Sequence, residues 1–335
     1  MKQHLIAAAI AFAPVAALCD PSVAKIVDDH ILPRFDSLTV SAEALSKAAK
    51  NDCAPTAAPL RDAYRTAFDA WVSASHLRFG PTEVDDRAFA LAFWPDSRGA
   101  TPRALANLLA DEDPIALAPE TYTDVSIAAR GFYALEYLLF DDDLMQAGND
   151  DYHCTLVQTI SADIANTASA IYEDWQTRYV DVILSPGPDA PYRSDEEVLQ
   201  EMLRTLSAGL QFTHDSRLGR PLGTFDRPRP TQAEARRSGR SAHHVMLSLM
   251  ALQDLALHLT ADDARLAHKL GEQFEDAKTR LQALEDPVFD GVTDPQSRLK
   301  IEIIQQAVGT IRDTVQTELG PTLGVAAGFN SLDGD

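Results

Sequence analysis

The chain has 335 residues, room for one large domain or two small ones, and 45% of them are hydrophobic against 24% charged. That composition supplies a core and excludes wholesale disorder. Acidic residues outnumber basic ones 50 to 29, for a net charge of -21. Such a surface excludes nucleic-acid binding by broad phosphate neutralisation and is repelled by an anionic membrane, while cations and basic partners stay open.

In chain order, residues 1–19 come first: one positive charge (Lys2), an apolar run from Leu5 to Phe12, then small residues. This is the pattern of a secretory signal peptide, and the run is shorter than the roughly 20 apolar residues of a transmembrane helix. Cleavage after Ala17, Cys19 or Ala24 satisfies the small-residue rule. Cys19 invites lipidation, but Leu18 before it is not the small residue that a lipobox requires. The expectation is an exported protein of the periplasm or cell envelope with no transmembrane segment. In an oxidising compartment the two remaining cysteines, Cys53 and Cys154, read as a disulfide, with two buried free thiols as the alternative. Closing a loop of about a hundred residues stabilises by about 4–5 kcal/mol at most.

Helical periodicity dominates the rest. It predicts helices near 22–50, 57–79, 100–110, 122–140, 151–181, 194–215, 231–259, 261–285 and 296–319, punctuated by Pro and Gly. The densest break, Ser185-Pro186-Gly187-Pro188-Asp189-Ala190-Pro191, divides one domain (26–330) into halves at 26–182 and 194–320. The fold class expected is all-α, as two antiparallel four-helix bundles packed together. Residues 125–140 and 244–258 are apolar almost all round, which places them as the central helices of the two halves.

Enzyme signatures are missing: no His-Glu-x-x-His, no Gly-x-Ser-x-Gly, no P-loop and no Gly-x-Gly-x-x-Gly. The nine histidines read as packed or solvated rather than ligating, with His258 and His268 as surface or flank residues. Glu136 differs. It is a carboxylate inside an apolar helix, with Tyr133 one turn before it on the same face. Buried without a partner it would cost several kcal/mol, so it needs a cation, an arginine or a hydrogen-bond network. Arg130, six positions away, faces elsewhere. Either an arginine from another helix pairs with Glu136, or Glu136 belongs to a ligand site.

The stretch Gly131-Phe132-Tyr133-Ala134-Leu135-Glu136 resembles the Gly-x-His-x-x-Glu helix of the imelysin family, the M75 peptidases. Arg78-Phe79-Gly80-Pro81 and Phe93-Trp94-Pro95-Asp96-Ser97-Arg98-Gly99 resemble its Phe-Gly-Pro and Trp-Pro-Asp blocks. Leu218-Gly219-Arg220-Pro221-Leu222-Gly223, Ser238-Gly239-Arg240-Ser241 and the ending from Gly328 to Asp335 resemble later blocks. The resemblance implies an exported two-bundle protein with a cleft lined by the signature helix, among relatives that include envelope proteins linked to iron. Here the motif's histidine is Tyr133. A neutral phenol is a poor ligand for divalent metals although Fe(III) accepts phenolate, so a zinc peptidase is weakened more than an iron site at Glu136. A Tyr133 that orients Glu136 by a hydrogen bond accounts for the pair equally well.

Two charged stretches complete the reading. Asp141, Asp142 and Asp143, with Asp150 and Asp151 after them, follow the central helix where the helix dipole disfavours negative charge. They read as a solvated acidic loop or as oxygen ligands for a cation. Arg217, Arg220, Arg227, Arg229, Arg236, Arg237 and Arg240 either anchor a Pro-rich connection or receive an anion or a buried carboxylate such as Glu136. The expected function is binding of a small ligand or metal, iron or another divalent cation, linked to iron acquisition. Ligand candidates are Tyr133, Glu136, Trp94, Asp96, Arg98, Arg217, Arg240 and Ser241, with Glu136 as the metal ligand and no catalytic residue. The alternatives are an M75-type metallopeptidase and a scaffold that binds another envelope protein.

Overall fold

The computed structural model describes residues 21–324 apart from 118, 120 and 262, so the signal peptide expected at 1–19, Cys19 and the ending after Gly324 lie outside the described residues. Among the described residues the chain is helical, with an isolated bridge between Thr224 and Arg227 and no strand. Nine longer helices organise the described residues: α1 (23–51), α2 (Ala58–Ala74), α3 (Ala100–Asp111), α4 (Gly131–Phe140), α5 (150–184), α6 (195–222), α7 (Ser241–Leu259), α8 (Ala264–Gln282) and α9 (295–322). Helix starts follow the polar caps in the sequence. Asn149 accepts from the N–H groups of Asp151 and Tyr152, Asp263 from Leu266 and Asp294 from Ser297.

α1 packs against α2 and α5, and α4 against α5; α7 packs against α6 and α8, and α8 against α9. The two groups meet along α2 and α7. Aromatic stacking fills the first group: Phe68 lies on Phe132 with centroids 4.8 Å apart, and Phe35 on Trp175 at 5.6 Å. Cys53, just after α1, is bonded to Cys154 in the first turns of α5, as expected from export chemistry. None of the described helices is long and apolar enough to cross a membrane.

Three expectations need correction. The helix predicted at 122–140 begins at Gly131. Arg130 before it is extended and reaches Asp163 with two hydrogen bonds of 2.7 and 3.0 Å. Gly131 has φ +74 and sits so tightly on the backbone of Ala90 and Leu91 that a Cβ would lie 2.2 Å from both carbonyl oxygens, which only glycine permits. The helix predicted at 231–259 begins at Ser241, because left-handed Ala235 and Gly239 break residues 231–240 into a loop. α7 is not buried all round either: Met250 is 52% and Leu257 37% exposed.

Candidate functional site

Where the two groups of helices meet lies a cavity of about 360 Å³. Trp71, at the end of α2, His76 in the turn after it, Trp94 from the loop before α3, and Tyr133 of α4 form one wall. Phe212 and Arg217 of α6, Glu234 of the 231–240 loop and Ser248 of α7 form the other. Residues Phe212–Leu218 make a π-helical stretch in α6 that brings Phe212 and Arg217 to this side.

The polar centre of the cavity is a buried triad. Tyr133 donates its hydroxyl to Glu234 Oε1 at 2.5 Å; Arg217 donates Nε to Glu234 Oε2 at 2.7 Å and Nη1 to Ser248 Oγ at 2.8 Å. Burial opposes ionisation of Glu234, but Arg217, helped by His244 and by the Tyr133 hydroxyl, outweighs it and holds the carboxyl at about 2. Burial pushes the Tyr133 phenol well above its ordinary value, and the Glu234 charge pushes the same way, so the phenol is neutral. Around the triad, Trp94 stacks on Tyr133 at 6.2 Å, and the Arg217 guanidinium lies 4.8 Å above the Phe212 ring.

Glu136 is equally buried but differently held. Its Oε1 accepts from the backbone N–H and the hydroxyl of Ser238, at 2.9 and 2.7 Å, and no arginine among the described residues forms an ion pair with it. Burial pushes its carboxyl above the ordinary range, and the Ser238 donors, with Arg237 and His244 farther off, only partly offset this. The carboxylate that receives an arginine is therefore Glu234, and Tyr133 orients Glu234 rather than Glu136. Glu136 does not line the cavity.

The remaining sequence candidates scatter. Asp96 caps α3 by accepting from the N–H groups of Ala100 and Thr101 at 2.9 and 2.8 Å. Burial opposes its ionisation, but these and the Arg98 N–H hold it below the usual carboxylate range. Arg98 is exposed and offers its carbonyl to Arg103. Arg240 pairs with Asp69, and Ser241 donates to the Glu234 carbonyl, fixing the loop that carries Glu234. Arg237 pairs with Asp141 at 2.6 Å and covers the Tyr137 ring, so the acidic stretch after α4 is partly neutralised, while Asp142 and Asp143 are exposed. The arginine-rich stretch thus does both things expected of it: Arg237 and Arg240 anchor the connection, and Arg217 receives a buried carboxylate.

Glu234, Ser238, Ser248 and His76 were not singled out in the sequence. Glu234 and Ser238 sit in a segment whose composition reads as the start of a helix, and only the resemblance of the Ser238-Gly239-Arg240-Ser241 block pointed there.

The family model described as Imelysin, Peptidase M75, matches residues 31–315. Iron-regulated protein A of Synechococcus elongatus is 24% identical over 327 residues, covering 91% of this chain and 87% of its own. Among solved structures, an imelysin-like protein from Psychrobacter arcticum superposes with a TM-score of 0.77 at 21% identity, over 92% of this chain and 96% of that one. A protein described as an iron-regulated protein A precursor, from Parabacteroides distasonis, superposes with a TM-score of 0.73 at 15% identity, over 88% and 92%.

Proposed function

The chain belongs to the imelysin family, and within it we propose a binding protein of the bacterial cell envelope whose ligand occupies the cavity between its two helical halves, 26–182 and 194–320. The observation that carries this reading is the Tyr133–Glu234–Arg217 triad at the centre of an aromatic-walled space of about 360 Å³. A cavity of that size with few, convergent polar groups suits a small molecule with an apolar body and a polar end. The link to iron rests on the name of the Synechococcus relative, and export on the leader-like residues 1–19.

A small molecule is favoured over iron held at Glu136 because both the hydroxyl and the N–H of Ser238 already occupy one Glu136 oxygen. Tyr133, a neutral phenol donating to Glu234, is not set up as a phenolate ligand. The peptidase reading lacks a partner for Glu136: the metal-binding grouping among the described residues excludes it. The test is native mass spectrometry and metal analysis of untagged protein purified from the periplasm. A stoichiometric small molecule lost in Arg217→Met and kept in Glu136→Gln supports the reading. Bound iron released by Glu136→Gln, with no small molecule present, would overturn it.

A further inference from the structure

Outside the cavity, ionisable side chains converge where the first turns of α1 meet the last turns of α7. His30 lies in the π-helical stretch Val27–Ile31 and is fully buried. Its Nδ1 is 2.7 Å from Asp254 Oδ2 and its Nε2 is 2.8 Å from His76 Nε2. His258, one turn beyond Asp254, has Nδ1 3.7 Å from Asp254 Oδ1 and Nε2 3.9 Å from Asp29 Oδ2. It donates Nδ1–H to the Asp254 carbonyl at 2.8 Å. His258 is a flank residue, half-buried against His30, Asp254 and Asp29.

Each of His30, Asp254 and His258 offers a donor atom within 4.8 Å of the other two, the grouping of this kind found among the described residues. Two imidazoles and a carboxylate are the donor set of a zinc-type site, whereas calcium and magnesium take oxygen. Tetrahedral Zn–N and Zn–O bonds of about 2.0–2.2 Å place donors about 3.4 Å apart. His30 Nδ1 and Asp254 Oδ2, now 2.7 Å apart and joined by a hydrogen bond, would separate to that spacing, and His258, whose Nδ1 is tied to the Asp254 carbonyl, would present Nε2. A ligating histidine is usually tied through its other ring nitrogen, which fixes its tautomer. His76 occupies that place behind His30.

We propose that His30, Asp254 and His258 form a site for a borderline divalent cation such as zinc, with Asp29 as the nearest further oxygen. Without a cation, His30 donates Nδ1–H to Asp254 and its Nε2 accepts from His76. Ligation through His30 Nδ1 moves that proton to Nε2 and requires His76 to accept there, its own proton passing to Nδ1, so the imidazole pair releases no net proton. The cation therefore stands one hydrogen bond from His76, which lines the cavity. Arg34 opposes it: its Nη2 donates to Asp254 Oδ2 at 2.9 Å, and Lys25 pairs with Asp29. The site is thus expected to bind weakly, and removing Arg34 should strengthen it.

The full chain, freed of metal, would be titrated with zinc chloride by calorimetry and with Co(II) by visible absorption. One equivalent should bind with a micromolar dissociation constant, and the intense bands of four-coordinate Co(II) should appear. His258→Ala and Asp254→Asn should each weaken zinc at least tenfold, and Arg34→Met should tighten it several-fold. His258→Gln serves as a second variant if His258→Ala fails to fold. Arg217→Met, in the cavity, and His268→Ala, on the exposed surface, should leave zinc binding unchanged, so failure here is distinct from failure of the cavity reading. Absence of saturable binding, or equal binding by wild type and folded His258 and Asp254 variants, would overturn the proposal.

Discussion

Two carboxylates, Glu136 and Glu234, are each 2% exposed and lie on either side of the junction between the helical groups, yet their electrostatics are opposite. Glu234 faces a guanidinium and is held ionised, whereas Glu136 faces a serine hydroxyl and a backbone amide and is pushed toward its neutral form. Burial is the same; the partner decides. A full positive charge repays the loss of water around a carboxylate, and two neutral donors do so only in part. The cavity consequently contains a fixed charge pair, while the family's motif glutamate stands behind it with its carboxyl pushed above the ordinary range by burial.

The largest expected break in this contrast is Glu234→Gln. It strands Arg217 in the interior and should cost about 3–5 kcal/mol in urea unfolding. Adding Arg217→Met should recover much of that loss, as a double-mutant cycle would show.

Acid comes next, and the signs differ by group. The Glu234 pKa is depressed, so its stabilisation is present above the ordinary 4.5 and is lost as pH falls toward about 2. At higher pH, burial holds His30 down at about 4 against the raising influence of Asp254. A histidine kept neutral in the folded state destabilises as pH falls from 6.5 to 4, by on the order of 3 kcal/mol. Urea midpoints measured from pH 7 to pH 3 should therefore fall in two windows, and Glu234→Gln should shrink the lower one, leaving the part that Asp254, also held at about 2, contributes.

Tyr133→Phe removes one donor from Glu234 and should cost about 1–2 kcal/mol, less than the loss of the charge partner. Glu136→Gln is the smallest: a change within about 1 kcal/mol, because Ser238 can donate to the amide oxygen as well. Its pH signature is opposite to that of Glu234. With the folded pKa raised, wild type loses stability as pH climbs above 4.5, and Glu136→Gln should not. A drop of several kcal/mol at neutral pH would show that Glu136 has a cationic partner after all.

Much of the fold was legible because burial patterns are local and periodic. The apolar stripes of α1, α5, α8 and α9 place those helices within a few residues, and the pair of cysteines left beyond the leader-like residues, Cys53 and Cys154, is bonded. The starts of α4 and α7 were not. Helical composition runs through residues 122–130 and 231–240, but Gly131 must pass between two backbone carbonyls, and the loop at 231–240 is held by distant Asp69 and Glu136.

By itself, then, the sequence determined an all-helical chain, its covalent cross-link, and a helix with Tyr133 and Glu136 on one buried face. Only the tertiary structure decided which carboxylate Arg217 meets, which hydroxyl holds Glu136, and that His30, His76, Asp254 and His258 assemble at all. The reason is physical. Periodicity is a property of neighbours along the chain, whereas the partner of a buried charge is set by elements as far as 224 residues apart, brought together when apolar faces leave water.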